Sequence, residues 1–475
     1  MATIDDIRAA VVEALKGIDL SALAAAKASE AASSGPGVFT DLDEAVAAAA
    51  KAQAQLVALP LALRARHVEA MRQTVLDNNE SLSREAVEET GIGNLADKLV
   101  KNRLAATKTP GTEDIEPLAY SDENGLTLVE RAPYGVIGTI TPTTNPIATI
   151  TCNGIGMIAA GNAAVFNTHP AAKRVSSRLV SLFNEAITRE GGPANLLVTM
   201  AEPTIETAGR LMKHSGINIL TITGGPAVVR QGMNSGKKAI CAGPGNPPCV
   251  VDETADIDHA ALSIVQGAGF DHNLVCICEK EILAVEAIAD RLIASLRRQG
   301  AFLLTPEQAE QLTRLVIAEP GGPGHEGAAN KSYVGKSPQV LGKAIGVEVP
   351  VTARILLCVV DRDHPLVWTE QLMPFIPLVR MRDVDEAIDF AVEVEHGFRH
   401  TAMMHSHDVT KLSRMARLMN CSLFVKNGPC YAGLGQGGAG FTSFTIASPT
   451  GEGITRPRTF TRERRCTLVD SFRII

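Results

Sequence analysis

The chain has 475 residues, of which 45% are hydrophobic and 20% are charged, and its formal net charge is −7 at pH 7. Only 4% of the residues are aromatic, basic runs are absent and no apolar run reaches roughly 18 residues, so neither a nucleic-acid partner nor a membrane span is expected. Nine scattered cysteines favour a reducing cytoplasm over a disulfide framework.

The first 20 residues are predicted to form an amphipathic helix, and their acidic start is unlike a secretory signal. The apolar residues of this helix recur at helical spacing on one stripe: Ile4, Ile7, Val11, Leu15 and Ile18. Residues 21–37 are nearly all Ala, Ser, Gly, Lys and Pro, which indicates a flexible linker. A short tethered helix of this kind needs a partner surface, either on another protein or on its own globular body.

Residues 38–245 are predicted to form a parallel α/β domain. Residues 40–108 have a helical pattern with a break at Pro60, and residues 113–131 have the pattern of an extended hairpin. Strands and helices alternate from residue 136 onward, which predicts a parallel sheet that binds ligands at the carboxyl ends of its strands. The turns that follow three of these strands are therefore expected to face one cleft.

Residues 246–430 are predicted to form a second α/β domain, which contains a candidate nucleophile. Small residues at 267–269 lead into a polar turn and then into an apolar segment that carries Cys276 and Cys278. A thiolate attacks an aldehyde carbon well, and small neighbouring residues give a substrate access to the sulfur. Residues 431–475 follow as a glycine-rich and threonine-rich loop and a basic extended tail.

Seven segments, in this order, resemble the aldehyde dehydrogenase superfamily. They are residues 141–146, 166–170, 223–226 and 243–246, Cys276, Glu370 and residues 451–453. Cys276 also lies three residues before Glu279-Lys280, which is similar to the active-site segment of CoA-acylating aldehyde dehydrogenases. The resemblance implies an α/β aldehyde dehydrogenase fold with a Rossmann-like NAD domain, an α/β catalytic domain, a small β element for oligomerisation, and assembly as a homodimer or homotetramer.

The resemblance also implies a role for individual residues. Cys276 is the implied nucleophile and Asn145 the implied donor to the oxyanion, although Thr144 can occupy the same position in the alignment. Glu370 is the implied ligand of the nicotinamide ribose. The other residues implied to contact NAD are Thr141, Pro142, Thr143, His169, Pro170, Thr223, Gly224, Gly225 and Gly243. Those implied to contact the aldehyde are Thr445 and Ile446.

One departure from the hydrolytic relatives decides the predicted reaction. Those relatives carry a Glu-Leu-Gly-Gly motif whose glutamate activates water, whereas this chain has Ala242-Gly243-Pro244-Gly245. A thiol is far more nucleophilic than water and cleaves a thioester without a strong base. We therefore predict that the protein oxidises a short-chain aldehyde with NAD⁺ through a cysteine thiohemiacetal and an acyl-enzyme thioester, and then transfers the acyl group to coenzyme A. The alternatives are a hydrolytic or semialdehyde-type dehydrogenase and an inactive microcompartment cargo protein.

The remaining predictions concern location, assembly and metals. The N-terminal helix resembles the encapsulation peptides that recruit enzymes into bacterial microcompartments, so residues 1–20 are expected to bind shell or cargo proteins there. The hairpin and the basic tail over residues 456–470 are expected to pair between subunits, and the tail arginines either lie at that interface or bind CoA phosphates. No metal is expected, because no standard zinc spacing occurs among His396, His400, His405 and His407.

Overall fold

The computed structural model describes residues 35–470 and 472–475, so the predicted helix over residues 1–20 and most of the predicted linker lie outside it. The described chain begins with a turn that leads into strand β1 (Val38–Phe39) at the edge of the first sheet. Gly37 has a φ of 83°, and a Cβ there would lie 2.7 Å from the carbonyl oxygen of Leu197. Glycine is therefore the residue that fits this entry into the fold.

Three helices follow, namely α1 (Leu42–Val57), α2 (Leu61–Thr90) and α3 (Leu95–Lys108). Pro60 occupies the N-cap of α2, which confirms the predicted break at that residue. A second break was not predicted. Gly91 ends α2 in the left-handed conformation with a φ of 67°, which glycine adopts without steric cost.

A three-stranded antiparallel sheet stands apart from the two large sheets. Strands β2 (Leu118–Asp122) and β3 (Gly125–Pro133) form the predicted hairpin. The other edge of β3 pairs with the C-terminal strand Thr461–Val469, from Pro133 opposite Thr461 to Gly125 opposite Val469. This strand belongs to the same chain, so the expected pairing of the hairpin and the tail between subunits is corrected to a pairing within one chain.

The first large sheet has six strands, and all of its pairs are parallel. Besides β1 it contains β4 (Val136–Ile140), β5 (Ala163–Asn167), β6 (Leu197–Met200), β7 (Ile219–Thr223) and β8 (Ala239–Ala242). The strand order is β1-β6-β5-β4-β7-β8, so the order reverses between β4 and β7, as in dinucleotide-binding sheets. The helices between these strands are α4 (Pro146–Ala159), α5 (Lys173–Arg189), α6 (Ile205–Lys213) and α7 (Pro226–Met233).

The strands of the next part of the chain are β9 (Pro248–Val251), β10 (Glu281–Val285), β11 (Ala301–Leu303), β12 (Ile317–Glu319), β13 (Ala328–Ala329), β14 (Ile355–Val360), β15 (Phe375–Met381), β16 (Thr401–His405) and β17 (Leu423–Lys426). Seven of them form the second large sheet in the order β11-β14-β15-β10-β9-β16-β17, and all of its pairs are parallel. The helices are α8 (Ile257–Ala268), α9 (Glu286–Arg298), α10 (Pro306–Val316), α11 (Pro338–Ala344), α12 (Val384–Val394) and α13 (Val409–Met419). Strands β12 and β13 form a separate antiparallel pair.

Three strands complete the described chain: β18 (Ile446–Ala447), β19 (Gly453–Ile454) and the C-terminal strand, β20.

The segment that links the two large sheets determines which of their ends meet. Strand β8 ends at Ala242 and β9 begins at Pro248, so this segment runs from the carboxyl end of one sheet to the amino end of the other. Among the described residues no helix is long and apolar enough to cross a membrane.

Candidate active site

Four predicted or chemically notable residues lie just before the amino ends of four neighbouring strands in the second sheet. Gly245 precedes β9, Cys276 precedes β10, Glu370 precedes β15 and His400 precedes β16. These strands are adjacent in the order β15-β10-β9-β16. Because the strands are parallel, residues that enter them from the same side gather at one edge. Ligands were expected at the carboxyl ends of the strands; the predicted ligand residues of the first sheet lie at those ends, whereas the second sheet contributes its amino ends.

Gly245 lies against the other three residues of this group. Its backbone N–H donates to Oε1 of Glu370 at 3.2 Å. A Cβ on Gly245 would lie 3.0 Å from the carbonyl oxygen of Cys276 and 2.9 Å from Cγ of His400. The missing side chain therefore allows Cys276, Glu370 and His400 to approach one another.

The loop that carries Cys276 has an unusual backbone. Asp271, His272 and Asn273 all have positive φ values, of 47°, 55° and 63°. Three such residues in succession are uncommon for side chains other than glycine and need support from their surroundings. Asn273 supplies part of it, because its Nδ2 donates to the carbonyl oxygens of Ala268 at 2.9 Å and of Glu279 at 3.0 Å.

The two cysteines of the loop differ in access. Cys276 is partly exposed, whereas Cys278 is fully buried and its thiol lies 3.9 Å from the carbonyl oxygen of Phe270. Of the two residues, Cys276 is therefore the more accessible to a substrate. The geometry therefore favours Cys276 as the nucleophile.

The electrostatic surroundings keep Cys276 protonated in the free protein. Burial raises the pKa of its thiol to about 12; the carboxylate of Glu370 adds to this rise and the ammonium of Lys280 opposes it. Burial also raises the pKa of Glu370 to about 7, so this carboxyl titrates near neutrality. The described surroundings of Cys276 therefore disfavour the thiolate, which is the form in which a cysteine is nucleophilic.

Asn145 lies at the carboxyl end of β4, where it precedes the first turn of α4. It is buried, its Oδ1 accepts a hydrogen bond from Nζ of Lys101 at 2.6 Å, and its Nδ2 donates to Oγ1 of Thr144 at 3.1 Å. Lys101 also donates to the carboxylate of Asp271 in the Cys276 loop. Asn145 and Thr144 are thus in contact, and Asn145 is tied to the loop through one lysine.

The predicted NAD ligands lie along the carboxyl edge of the first sheet. Thr141 follows β4, and Thr168, which was not among the predicted ligands, follows β5; both hydroxyls are buried without a hydrogen-bond partner in the described structure. Buried hydroxyls are nearly always satisfied, so two unsatisfied ones on adjacent strand ends fit the polar groups of a dinucleotide at this switch point. Pro142 and Thr143 follow Thr141 and are half-buried.

The other predicted NAD ligands occupy two positions on the same edge. His169 and Pro170 are exposed at the end of β5, and Nδ1 of His169 accepts a hydrogen bond from the backbone N–H of Ala171 at 3.1 Å. Thr223 ends β7, followed by Gly224, and Gly225 occupies the N-cap of α7. A helix N-terminus with a glycine approach is suited to a pyrophosphate.

The residues predicted to contact the aldehyde meet those predicted to contact NAD. Oγ1 of Thr445 lies 2.8 Å from Oγ1 of Thr223. Ile446 is buried and pairs with Ile454 in the short antiparallel pair of β18 and β19. A Cβ on Gly243 would lie 3.1 Å from Cγ of Pro449, so the loop that carries these residues covers the end of β8.

His400 belongs to the site, although the sequence analysis considered it only as a possible metal ligand. Burial and the charge of Lys280 lower its pKa to about 3, so its ring is neutral. Its Nδ1 lies 2.8 Å from Oγ1 of Thr401, and its Nε2 has no hydrogen-bond partner among the described residues. His396 instead contacts the carbonyl oxygen of Trp368 at 2.9 Å. Across residues 35–470 and 472–475, no group of three or more His, Cys, Asp or Glu residues could hold a metal ion.

Lys101 and Asp271 were also missed. The sequence does carry a signal for the lysine, because Lys98 and Lys101 are three residues apart and share one face of α3. Both side chains are buried, which is rare for lysine unless it is paired. Their common partner is Asp271, to which Nζ of Lys98 donates at 3.1 Å.

Comparisons with known proteins agree with this arrangement. A sequence profile described as the aldehyde dehydrogenase family matches residues 26–444. The CoA-propanoylating propanal dehydrogenase of Salmonella typhimurium is 48% identical over 441 residues, which are 93% of this chain and 94% of that protein. The propionaldehyde dehydrogenase of Rhodopseudomonas palustris, solved with bound CoA and an acylated cysteine, is 52% identical with a TM-score of 0.89, over 91% of this chain and 98% of that one.

A third relative is the propionaldehyde dehydrogenase from the fucose utilisation bacterial microcompartment of Clostridium phytofermentans. It is 46% identical with a TM-score of 0.89, over 93% of this chain and 100% of that one. The predicted family and the predicted α/β aldehyde dehydrogenase fold are thereby confirmed. By profile, sequence identity and superposition, the chain belongs to the aldehyde dehydrogenase family.

Proposed function

We propose that this chain is a CoA-acylating aldehyde dehydrogenase that oxidises a short-chain aldehyde with NAD⁺ and passes the acyl group to coenzyme A. One observation carries the choice between CoA and water as the acyl acceptor. The segment that packs against Cys276 is Gly243-Pro244-Gly245, where a side chain on Gly245 would collide with its neighbours, and it offers no carboxylate to activate water. The relatives named for CoA-dependent activity support the same choice.

The first step is the attack of the Cys276 sulfur on the aldehyde carbon. As the carbon–sulfur bond forms, the thiol proton passes to water in the cleft, because Glu370, the neighbouring carboxyl, is engaged with the nicotinamide ribose. The negative charge then develops on the former carbonyl oxygen. The amide N–H₂ of Asn145 and the backbone N–H of Cys276 are the donors that stabilise it.

The dinucleotide is held by the chain's own residues on both sides of the cleft. Thr141, Thr168 and the N-terminus of α7 bind its polar groups along the first sheet, and Glu370 binds the nicotinamide ribose from the second sheet. When bound, the nicotinamide ring accepts the hydride that the thiohemiacetal carbon gives up. The product on the protein is a thioester between the acyl group and Cys276.

The second step is thiol exchange. The sulfur of CoA attacks the thioester carbon, and Cys276 leaves as a thiolate that regains a proton. His400 offers an unpartnered ring nitrogen at this edge as a hydrogen-bond partner for the incoming thiol. Because one thioester replaces another, the reaction needs no general base of the strength that hydrolysis requires.

Substitution of the two cysteines tests the nucleophile. Cys276→Ala should abolish NADH formation in the presence of aldehyde, NAD⁺ and CoA, whereas Cys278→Ala, its matched control in the same loop, should keep a substantial part of it. An inactive Cys278→Ala variant with an active Cys276→Ala variant would contradict the assignment. A panel of C2–C5 aldehydes in the same absorbance assay identifies the substrate.

We propose that residues 1–20, for which the sequence predicts a helix, recruit the enzyme to a bacterial microcompartment. The support is the apolar stripe from Ile4 to Ile18, the linker behind it and the origin of one relative in a microcompartment. Deletion of residues 1–20 should leave soluble, active enzyme, and these residues fused to a fluorescent protein should co-localise with microcompartment shells. Ile7→Asp with Val11→Asp should abolish the co-localisation; loss of activity in the deletion variant would contradict the proposal.

Assembly as a homodimer or homotetramer is proposed from the three-stranded sheet. The C-terminal strand β20 of this sheet pairs with β3 along one edge, and most residues of β20 are exposed. An exposed strand edge readily pairs with another chain. Light scattering should give the mass of two or four chains, with no change when residues 1–20 are deleted, and a monomeric mass would contradict this proposal.

A further inference from the structure

A single buried ammonium joins the two loops that carry the proposed reaction. Nζ of Lys101 donates to Oδ1 of Asn145 at 2.6 Å and also to the carboxylate of Asp271. Asn145 lies in the turn that follows β4 of the first sheet, and Asp271 lies five residues before Cys276 in the loop that leads into β10 of the second. All three side chains are less than a tenth exposed. Lys101 therefore links the proposed oxyanion donor to the loop of the nucleophile.

The contact with Lys101 determines which way the Asn145 amide points. An ammonium has only donors, so it can bind the amide oxygen and not the amide N–H₂. A flipped amide would place its N–H₂ group against a buried cation and leave the lysine without that acceptor, which is costly in a buried site. The N–H₂ group is therefore directed away from Lys101, and the positive charge at the oxygen end polarises the amide and makes it a stronger donor.

Asp271 holds Lys101 in this position. Burial opposes the ionisation of its carboxyl, but the two lysines outweigh burial and lower its pKa. Its Oδ1 also accepts a hydrogen bond from the backbone N–H of Asn94 at 2.9 Å. A buried ionised carboxylate with these partners fixes the ammonium more firmly than a solvated one would. Lys98 shares this carboxylate but has no hydrogen bond to Asn145.

We propose that Lys101 is a positioning residue, which orients and polarises the Asn145 amide so that its N–H₂ group meets the oxyanion formed at Cys276. The proposal rests on the function proposed above, in which Asn145 is the oxyanion donor. It has a specific consequence: Lys101 should influence the hydride-transfer step only while Asn145 is present. A residue that merely stabilised the fold would act equally with and without Asn145.

A double-mutant cycle on the full-length enzyme tests this consequence. The variants are Lys101→Met, Asn145→Ala and the double variant, and the readout is the rate of NADH formation in a single turnover without CoA. Asn145→Ala should slow this rate by about 100- to 1,000-fold, the range for the loss of one oxyanion donor, and Lys101→Met should slow it by at least about tenfold. The double variant should be no slower than Asn145→Ala alone.

Lys98→Met is the matched control, since Lys98 lies one turn earlier on α3 and binds the same carboxylate. It should lower the Tm in the same way as Lys101→Met while its single-turnover rate stays close to that of the wild type. The rate at which iodoacetamide alkylates Cys276 should be the same in both variants, because neither lysine contacts the sulfur. If Lys101→Met does not yield folded protein, Lys101→Gln, whose polar side chain is one atom shorter than that of lysine and carries no charge, takes its place with the same expectations.

Two outcomes overturn the proposal. One is a single-turnover rate of the Lys101 variant equal to that of the wild type, and the other is an equal slowing in the wild-type and Asn145→Ala backgrounds. Failure of the proposed function has a different signature: Cys276→Ala remains active, or Asn145→Ala is as fast as the wild type. The cycle therefore separates an error about Lys101 from an error about the reaction.

Discussion

The backbone N–H of Gly245 donates to Oε1 of Glu370 at 3.2 Å, and this bond joins the segment without a carboxylate to the glutamate proposed to bind the nicotinamide ribose. The same glycine lies against the Cys276 carbonyl and the His400 ring. A position that carries no side chain thus lies between the nucleophile and the groups that serve it.

Gly245→Ala should damage the site more than the fold. Its Cβ would lie 2.9 Å from Cγ of His400 and 3.0 Å from the carbonyl oxygen of Cys276, so the Cys276 loop has to shift. Overpacking of this kind costs about 1–3 kcal/mol, which should appear as a lower Tm. Steady-state NADH formation should fall by more than this loss of stability explains, because misplacement of reacting groups by about 1 Å can cost about 100-fold in rate.

Gly243→Ala provides the stability control for that experiment. Its Cβ would meet only Pro449, at 3.1 Å from Cγ, and Pro449 is exposed. Its Tm should therefore stay closer to that of the wild type. A Gly245→Ala variant with wild-type activity and Tm would contradict the described packing around Cys276.

Glu370→Gln should have opposite effects on two reactions. The Glu370 carboxylate raises the pKa of the Cys276 thiol, and this carboxylate is ionised above its own pKa of about 7. Removal of the charge lowers the thiol pKa, so a larger fraction of Cys276 is thiolate at pH 8 and iodoacetamide should alkylate it faster in the free enzyme. Steady-state NADH formation should fall, because the proposed ribose contact is weakened.

Mass spectrometry of the alkylated peptide identifies Cys276 as the site of that reaction. Glu319→Gln, a change at an exposed glutamate elsewhere on the surface, should leave the alkylation rate unchanged. Slower alkylation of Glu370→Gln at pH 8 would show that Glu370 does not raise the thiol pKa.

Glu279→Gln should flatten the pH dependence of stability. Burial raises the pKa of Glu279 from 4.5 to about 7, and its Oε2 has no partner among the described residues. Between these two pH values the folded protein holds a proton that the unfolded chain does not, so the contribution to stability is complete below pH 4.5 and is lost as the pH rises through about 7. The loss amounts to at most about 3 kcal/mol.

The Tm of Glu279→Gln should therefore decline less between pH 5 and pH 8 than that of the wild type. Oε1 of Glu279 accepts a hydrogen bond from the backbone N–H of Cys430 at 2.9 Å, and a glutamine oxygen can keep that bond. Glu310→Gln, at an exposed glutamate paired with Arg314, is the control and should keep the wild-type slope. Parallel Tm profiles for Glu279→Gln and the wild type would contradict the raised pKa.

Local pattern was sufficient to predict the alternation of strands and helices from residue 136 onward, which begins with β4 and β5, because buried strands bounded by turn residues have a short-range signal. The edge strand β1 was not predicted. The break at Gly91 was missed although glycines at 91 and 93 mark it. The partner of the C-terminal strand was also wrong, since a strand pattern does not say which chain supplies the partner.

The sequence suggested named residues for the candidate site, whose roles stay predictions, but not the contacts that support them. Cys276, Asn145 and Glu370 lie in short motifs that can be read one at a time. Lys101 and Asp271 are 170 residues apart, and their contact depends on how α3 packs against the turn before Cys276. The spacing of Lys98 and Lys101 places both on one face of α3 but does not identify their partner, so no local pattern could have paired Lys101 with Asp271.

The central claim is that a thiol, and not water, releases the acyl group from Cys276. Stopped-flow absorbance with wild-type enzyme, aldehyde and NAD⁺ but no CoA tests it most directly. We expect a burst of about one NADH per active site that then stops, because no base near the thioester activates water to hydrolyse it. The addition of CoA should restore steady turnover. Sustained NADH formation with release of the free acid in the absence of CoA, at the rate seen with CoA, would contradict it.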